Sequence, residues 1–103
     1  MFKLLAMYDQ PDDPAAFDRY YAEVHGPLAR KIPGLRKLVV NRARGNPMGG
    51  ESRYYLIAEL HFADKDSFQQ ATQSAEFQAT GADLANFAAG KVTLLVVEED
   101  AGA

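Results

Sequence analysis

The sequence predicts an α+β sandwich in which one antiparallel sheet of four strands carries helices on a single face. The first observation is the order of the predicted elements, β-α-β-β-α-β, along 103 residues. The second is a change of period: apolar residues alternate in four segments, whereas two intervening segments repeat with helical spacing. This order is typical of the ferredoxin-like fold, for which we expect the strand order 4-1-3-2 and both helical segments on one side.

The composition is that of a folded domain. Hydrophobic residues make up 48% of the chain, and the net charge is −3. We predict one domain over residues 1–98 and a flexible acidic tail over 99–103. Cysteine is absent, which excludes disulfides, thiol catalysis and cysteine-based metal sites. No apolar run approaches the ~20 residues of a membrane span, and the N-terminus does not resemble a signal peptide. We therefore expect a cytoplasmic protein.

Four strands are predicted, at residues 2–8, 35–44, 53–62 and 91–98. The first strand is apolar on both sides, which favours a central position. In the third strand, one face is apolar and includes Tyr54 and Phe62, whereas the other is mixed, with Tyr55, Ile57, Glu59 and His61. The glycine-rich residues 45–52 between the second and third strands predict a mobile hairpin loop.

The stretch Phe17–Leu35 is predicted to be an amphipathic helix that breaks at His25-Gly26-Pro27, because proline disfavours helical conformation in the residue before it. Asp13 is the expected N-cap, with Pro14 in the first helical position. Helical spacing predicts one apolar stripe formed by Phe17, Tyr21, Val24 and Leu28, with Tyr20 beside it.

The same helix carries an acid, a phenol and an imidazole. Asp18, Tyr21 and His25 follow one another at spacings of three and four, so they are expected on nearly one line. Asp18 could therefore orient the His25 ring, although an acid in the middle of a helix is more often simply solvated.

The second helical segment is predicted to begin after Asp64 and to run to about Gln73. Ser74 restarts it, Gly81 weakens the restarted part, and Gly90 stops it before the last strand.

Two features favour a homodimer. One sheet face has no helix from this chain, although the first strand is apolar on that side too. The last strand, predicted at a sheet edge, carries the uncharged run 92–97, and such an edge invites aggregation unless it is protected. Two copies with their sheets face to face would cover the apolar surface.

The pattern resembles the EthD-like branch of the dimeric α/β-barrel superfamily. The carrying residues are Tyr20-Tyr21, then His25-Gly26-Pro27-Leu28 and Ile32-Pro33-Gly34-Leu35, with weaker matches at 74–76 and 83–87. The resemblance implies two ferredoxin-like subunits that close an eight-stranded barrel, each with a small-molecule cleft between helices and sheet. The superfamily includes monooxygenases, isomerases, cyclases and haem-degrading enzymes, and the EthD branch is named for an accessory role in degradation of ethyl tert-butyl ether.

We predict His25 and Tyr21 as catalytic residues. A histidine exchanges protons near neutral pH, and a phenol can donate a hydrogen bond to a developing oxyanion. A capping histidine and a core tyrosine are the structural alternatives. The predicted substrate-binding residues are Tyr8, Phe62, Phe87 and His61. A metal site built from His25, His61 and Glu59 is disfavoured because no metal-binding spacing is present, so no metal is predicted.

These residues leave two functions open. The first is a cofactor-independent oxidoreductase, isomerase or cyclase that performs acid–base chemistry on a hydrophobic organic molecule. The second is a non-catalytic homodimer that binds or sequesters such a ligand. Seven of the eleven basic residues lie between Arg30 and Arg53, where edge protection explains them better than an anionic substrate. Nucleic-acid binding is disfavoured by the net charge, and no feature requires haem or another cofactor.

Overall fold

The computed structural model describes residues 1–103 and contains one four-stranded antiparallel sheet in the order β2-β3-β1-β4. The strands are β1 (Phe2–Asp9), β2 (Lys37–Arg42), β3 (Tyr54–Phe62) and β4 (Val92–Glu98). The helices are α1 (Pro14–Tyr20), a π-helical turn (Tyr21–His25), α2 (Gly26–Arg30), α3 (Lys65–Thr72) and α4 (Ala75–Phe87). The order is the predicted one, read from the other edge. The ferredoxin-like α+β class is thereby confirmed.

Both predicted helix N-caps, Asp13 and Asp64, are confirmed, and the helix restarts at Ser74 as predicted. The side chain of Asp13 accepts a hydrogen bond from the backbone N–H of Ala16, and Asp64 accepts one from Ser67. Ser74 caps α4 in the same way through its hydroxyl oxygen. α4 continues unbroken through Gly81, and the chain turns at Gly90, whose φ of +72° suits glycine.

The predicted break at His25-Gly26-Pro27 is wrong. Residues 20–26 keep right-handed helical dihedral angles, and the Gly26 N–H donates to the carbonyl of Tyr21, five residues earlier. This wider turn accommodates Pro27, which has no N–H and would crowd the carbonyl of an ordinary α-helix. A Cβ on Gly26 would lie 3.0 Å from the Tyr21 carbonyl oxygen, so the turn closes tightly on a glycine.

The π-helical turn also changes which residues face the core. An extra residue per turn rotates the following side chains, so the predicted stripe through Val24 is wrong: Val24 is 37% exposed. His25 and Ala29 take the inward positions instead and are 4% and 2% exposed. The wide turn therefore delivers the imidazole to the space between helix and sheet.

The core lies between the helices and one face of the sheet. It contains alternate residues of the two central strands, chiefly Ala6, Tyr8, Leu56, Ala58, Leu60 and Phe62. The intervening residues face away from the helices, since side chains alternate along a strand. This second face, the open face, has no covering element and contains Leu5, Met7, Val39, Ile57, Leu95 and Val97.

Tyr55 departs from the predicted alternation. The β1–β3 register shifts between Tyr8 and Asp9, and Tyr55 is the unpaired residue of the resulting bulge. Its ring packs edge-on against Phe17 on the helix side, with the ring centroids 5.5 Å apart. The prediction that Tyr55 shares a face with Ile57 is therefore wrong.

No helix in the chain has both the length and the apolar character that crossing a lipid bilayer requires.

Candidate active site

A buried histidine–carboxylate pair connects the long first helical segment to α4. His25 Nδ1 lies 2.9 Å from Asp83 Oδ2, and the two side chains are 5% and 7% exposed. The π-helical turn places His25 here, and α4 places Asp83 one turn before its end. The two residues are 58 positions apart in the sequence. Only the packing of α4 against the first helix brings them together.

The Asp83 carboxylate accepts hydrogen bonds from two further side chains. Tyr20 donates its hydroxyl to Oδ1 at 2.5 Å, and the Asn86 amide donates to the same oxygen at 2.9 Å. Burial alone would raise the pKa of Asp83, but the hydrogen bonds from Tyr20, Asn86 and His25 outweigh it and lower the pKa. Asp83 is therefore an anion at neutral pH.

An ionised Asp83 fixes the tautomer of the imidazole. A carboxylate accepts hydrogen bonds, so the proton of neutral His25 resides on Nδ1 and the lone pair on Nε2. Burial lowers the pKa of His25, and the hydrogen bond and charge of Asp83 oppose that shift only in part. At neutral pH the ring is thus an uncharged base with a defined basic atom.

A cavity of about 70 Å³ lies beside this pair, between α2, α4 and the sheet. Its polar lining consists mainly of His25, Tyr8 and Tyr21, whereas the remaining wall is apolar and includes Leu60, Phe77 and Leu84. The centroids of the Tyr8 and Tyr21 rings are 5.8 Å apart, and those of the Tyr21 and His25 rings are 5.4 Å apart. The volume is about that of two water molecules.

Three polar atoms of these residues have no partner within the chain. His25 Nε2 and the hydroxyls of Tyr8 and Tyr21 make no intramolecular hydrogen bond, yet none is a fully enclosed unsatisfied atom. Each atom therefore keeps some accessible surface, and all three residues line the cavity. Burial raises the pKa of Tyr21 to about 12 and that of Tyr8 further, so both remain protonated donors at neutral pH.

The structure brings together some of the sequence-predicted site residues. Phe87 packs against His25, with ring centroids 4.7 Å apart, but does not itself line the cavity. Phe62 is fully buried beside Phe68 and does not line the cavity. His61 lies on the open face, so the sheet separates it from His25.

The contact considered between Asp18 and His25 is absent. Asp18 does not orient His25; it accepts hydrogen bonds from Arg42 at 2.6 Å and from the hydroxyl of Tyr55 at 2.9 Å. His61 pairs with Glu59 on its own strand, with Nε2 3.0 Å from Oε1. The disfavoured metal site would need both histidines, which face opposite sides of the sheet, and no group of three metal-ligating side chains is assembled anywhere in the chain.

Sequence reasoning gave Asp83 no role, although the segment 83–87 contributed to the resemblance described above. Its signal is an acid in the last turns of an amphipathic helix, a position that is ordinarily solvated. Only the distance to a histidine in another helix distinguishes it, and that distance is a property of the fold.

The EthD domain family matches residues 9–91 of the chain. The chain belongs to the EthD family. It is 38% identical over 103 residues to an uncharacterized 11.0 kDa protein in the thcB–thcC intergenic region of Rhodococcus erythropolis, covering 97% of this chain and 96% of that one. It is 48% identical to a solved EthD family protein from Bacillus halodurans, with a TM-score of 0.92 and coverage of 97% and 99% of the two chains.

Two more distant structures share the fold. One is a dimeric ferredoxin-like protein of unknown function from Jannaschia, with 22% identity, a TM-score of 0.67 and coverage of 95% and 98%. The other is SnoaB, a cofactor-independent oxygenase from Streptomyces nogalater, with 14% identity, a TM-score of 0.67 and coverage of 96% and 92%. The EthD chain thus has the architecture of dimeric ferredoxin-like proteins.

Proposed function

We propose that this EthD protein is a cofactor-independent acid–base enzyme that acts on a small hydrophobic molecule bearing a carbonyl or hydroxyl oxygen. One observation carries the proposal: His25, Tyr8 and Tyr21, whose Nε2 and hydroxyls have no partner in the chain, all line one largely apolar cavity, while Asp83 holds the other imidazole nitrogen. A purely structural histidine has no need of a free basic atom beside two free donors. The fold of SnoaB is compatible with chemistry that uses no cofactor.

The arrangement suits proton transfer next to a carbonyl group. His25 Nε2 would remove a proton from the carbon adjacent to the carbonyl, and the C–H electron pair would form an enolate. Tyr21 would donate a hydrogen bond to the enolate oxygen, with Tyr8 as a second donor. In a β,γ-unsaturated ketone the enolate is conjugated with the C=C bond, so return of the proton from Nε2 to the γ carbon would complete an isomerisation, with no net oxidation. Asp83 would stabilise the imidazolium formed in between.

The cavity limits how such a molecule can bind. About 70 Å³ holds an oxygen and its nearest atoms, but not a ring system. The oxygen-bearing end would enter first, and the apolar remainder would lie against Leu84 and Leu94 at the rim. An apolar wall supplies most of the binding free energy in such sites, and a few polar groups fix the orientation.

The test is hydrogen–deuterium exchange at the acidic carbon of a bicyclic ketone, 2-tetralone, followed by proton NMR in D2O. We expect the protein to accelerate exchange and His25→Ala to reduce the acceleration by about 100-fold or more. The matched control is His61→Gln, because the glutamine amide can still donate to Glu59 while the second histidine is removed. Equal rates for His25→Ala and wild type would contradict the proposal.

The alternative function is a non-catalytic protein that binds or sequesters a hydrophobic ligand, because the same cavity would serve it. The ketone probe separates the two functions. Saturable binding of 2-tetralone to wild type and His25→Ala alike, with no acceleration of exchange by either, would favour the binding protein.

We also propose that the chain forms a homodimer through the open face. This face carries the half-buried Leu5, Met7 and Ile57 and the exposed Leu95 without any covering element, and the Jannaschia protein of the same fold is dimeric. Sedimentation should give twice the chain mass at micromolar concentration. Leu95→Lys should shift the equilibrium to the monomer, whereas a monomeric wild type would contradict the proposal.

A further inference from the structure

Two of the residues that line the cavity beside His25 are exposed, and one of them is a glycine. Among the lining residues only Gly81 of α4 and Leu94 of β4 are exposed, whereas all the others are buried or half-buried. Leu94 is 51% exposed. The lining is therefore most exposed at these two residues, and we take the space between them as the passage from solvent to the imidazole.

Neither conformation nor packing requires glycine at position 81. Its φ is not positive, so any residue can adopt it, and a Cβ built there would meet no atom within 4 Å. Gly26 is different, because its Cβ would crowd the Tyr21 carbonyl. In a helix interior glycine is less favourable than alanine. Gly81 thus lowers the stability of α4 with no compensating contact.

We infer that Gly81 is a specificity-determining residue that keeps the passage to His25 open and sets its width. The inference rests on the proposed function, since it concerns access to the same cavity. The absent side chain admits a flat apolar molecule, whose leading oxygen reaches Nε2 while its rings lie between α4 and Leu94. A side chain at position 81 would project into the passage and exclude broad ligands first.

Access can be measured without a substrate, because the chain has two histidines. Diethyl pyrocarbonate modifies unprotonated imidazole nitrogens, and peptide mass spectrometry reports the rate at His25 and His61 separately. We expect Gly81→Leu to slow modification of His25 by about tenfold or more and to leave His61 unchanged. Gly81→Ala should have an intermediate effect and a higher melting temperature.

The control is Ala82→Leu, because Ala82 is exposed on the same helix but does not line the cavity. It should leave the rate at His25 unchanged. Partial unfolding would accelerate modification of both histidines, so a selective slowing at His25 cannot result from misfolding. An unchanged His25 rate in Gly81→Leu, or no modification of His25 in wild type, would overturn the inference. Because histidine modification does not depend on turnover, this test can succeed when the ketone exchange test fails. Equally, the ketone exchange test can succeed when this one fails.

Discussion

The two histidines of this chain have similar burial but different surroundings. His25 and His61 are 4% and 7% exposed, and each forms a hydrogen bond to a carboxylate. His25 lies on the helix side of the sheet, beside a cavity with two free phenols. His61 lies on the open face, flanked in the neighbouring strands by Lys3 and Lys37.

Their carboxylates differ in origin and in environment. Glu59 is two residues from His61 on the same strand, is 24% exposed, and also approaches the amino group of Lys3 at 3.7 Å. Asp83 is 7% exposed and comes from another helix. A local pair can form wherever a strand places two residues on one face. A pair assembled by tertiary packing and supported by further donors holds its geometry, as catalysis requires.

The largest contrast is expected when each carboxylate is neutralised. Asp83→Asn keeps the size of the side chain but removes the charge that holds the proton on Nδ1 of His25, so the basic atom would no longer face the cavity. We expect exchange of 2-tetralone to fall by about 100-fold or more. Glu59→Gln should leave the rate within about twofold. Similar losses in both variants would contradict the assignment of distinct roles.

Stability should distinguish the two carboxylates as well. Asp83→Ala leaves the buried His25 and the half-buried Tyr20 hydroxyl without their acceptor, which should cost about 3 kcal/mol. Glu59→Ala removes a partly exposed group, and its partner Asn41 can reach water, so the change should cost about 1 kcal/mol or less. Urea unfolding measures both. The contrast fails if the Glu59 variant is the less stable one.

The sequence predicts the fold well because the fold depends on local signals. Alternation identifies the strands, and Asp13, Asp64 and Ser74 mark the helix starts by chemistry that acts within one turn. The element order then leaves few topologies. Both edge strands and the central β1 follow from it.

The site was harder to predict because it depends on a shift of helical phase. An ordinary helix aligns Asp18, Tyr21 and His25, whereas the π-helical turn inserts a residue and separates Asp18 from the imidazole. Proline at position 27 signals an irregularity but does not distinguish a break from a wider turn. Asp83 could not be assigned either, since its partner lies 58 residues away.

The pH dependence of stability offers a smaller test of the His25 environment. Burial lowers the pKa of His25, so near and below its ordinary value of 6.5 the unfolded chain binds more protons than the folded one. Stability is therefore full above about pH 6.5 and declines as the pH falls through the lowered pKa. The lowered pKa of Asp83 adds a second loss at more acidic pH.

The His25→Gln variant isolates the first of these losses. The difference in unfolding free energy between wild type and His25→Gln should become less favourable to wild type between about pH 7.5 and about pH 5.5. His61 is present in both proteins, so its contribution cancels. A difference that grows in favour of wild type on acidification would mean that the folded state prefers the imidazolium, contrary to the proposed neutral base.

The smallest expected effect concerns the hydrogen bond that Tyr20 donates to Asp83. Tyr20→Phe removes the hydroxyl that donates to Oδ1, so the carboxylate keeps more of its negative charge for His25 and the pKa of His25 should rise. NMR titration of the imidazole Cε1–H signals measures this, and His61→Gln assigns them. Tyr55→Phe is the matched control, because its hydroxyl binds Asp18 instead. Equal shifts of the His25 pKa in both variants would show that Tyr20 acts through general packing. A shift confined to Tyr20→Phe would show that the two histidines differ also in the residues that support their carboxylates.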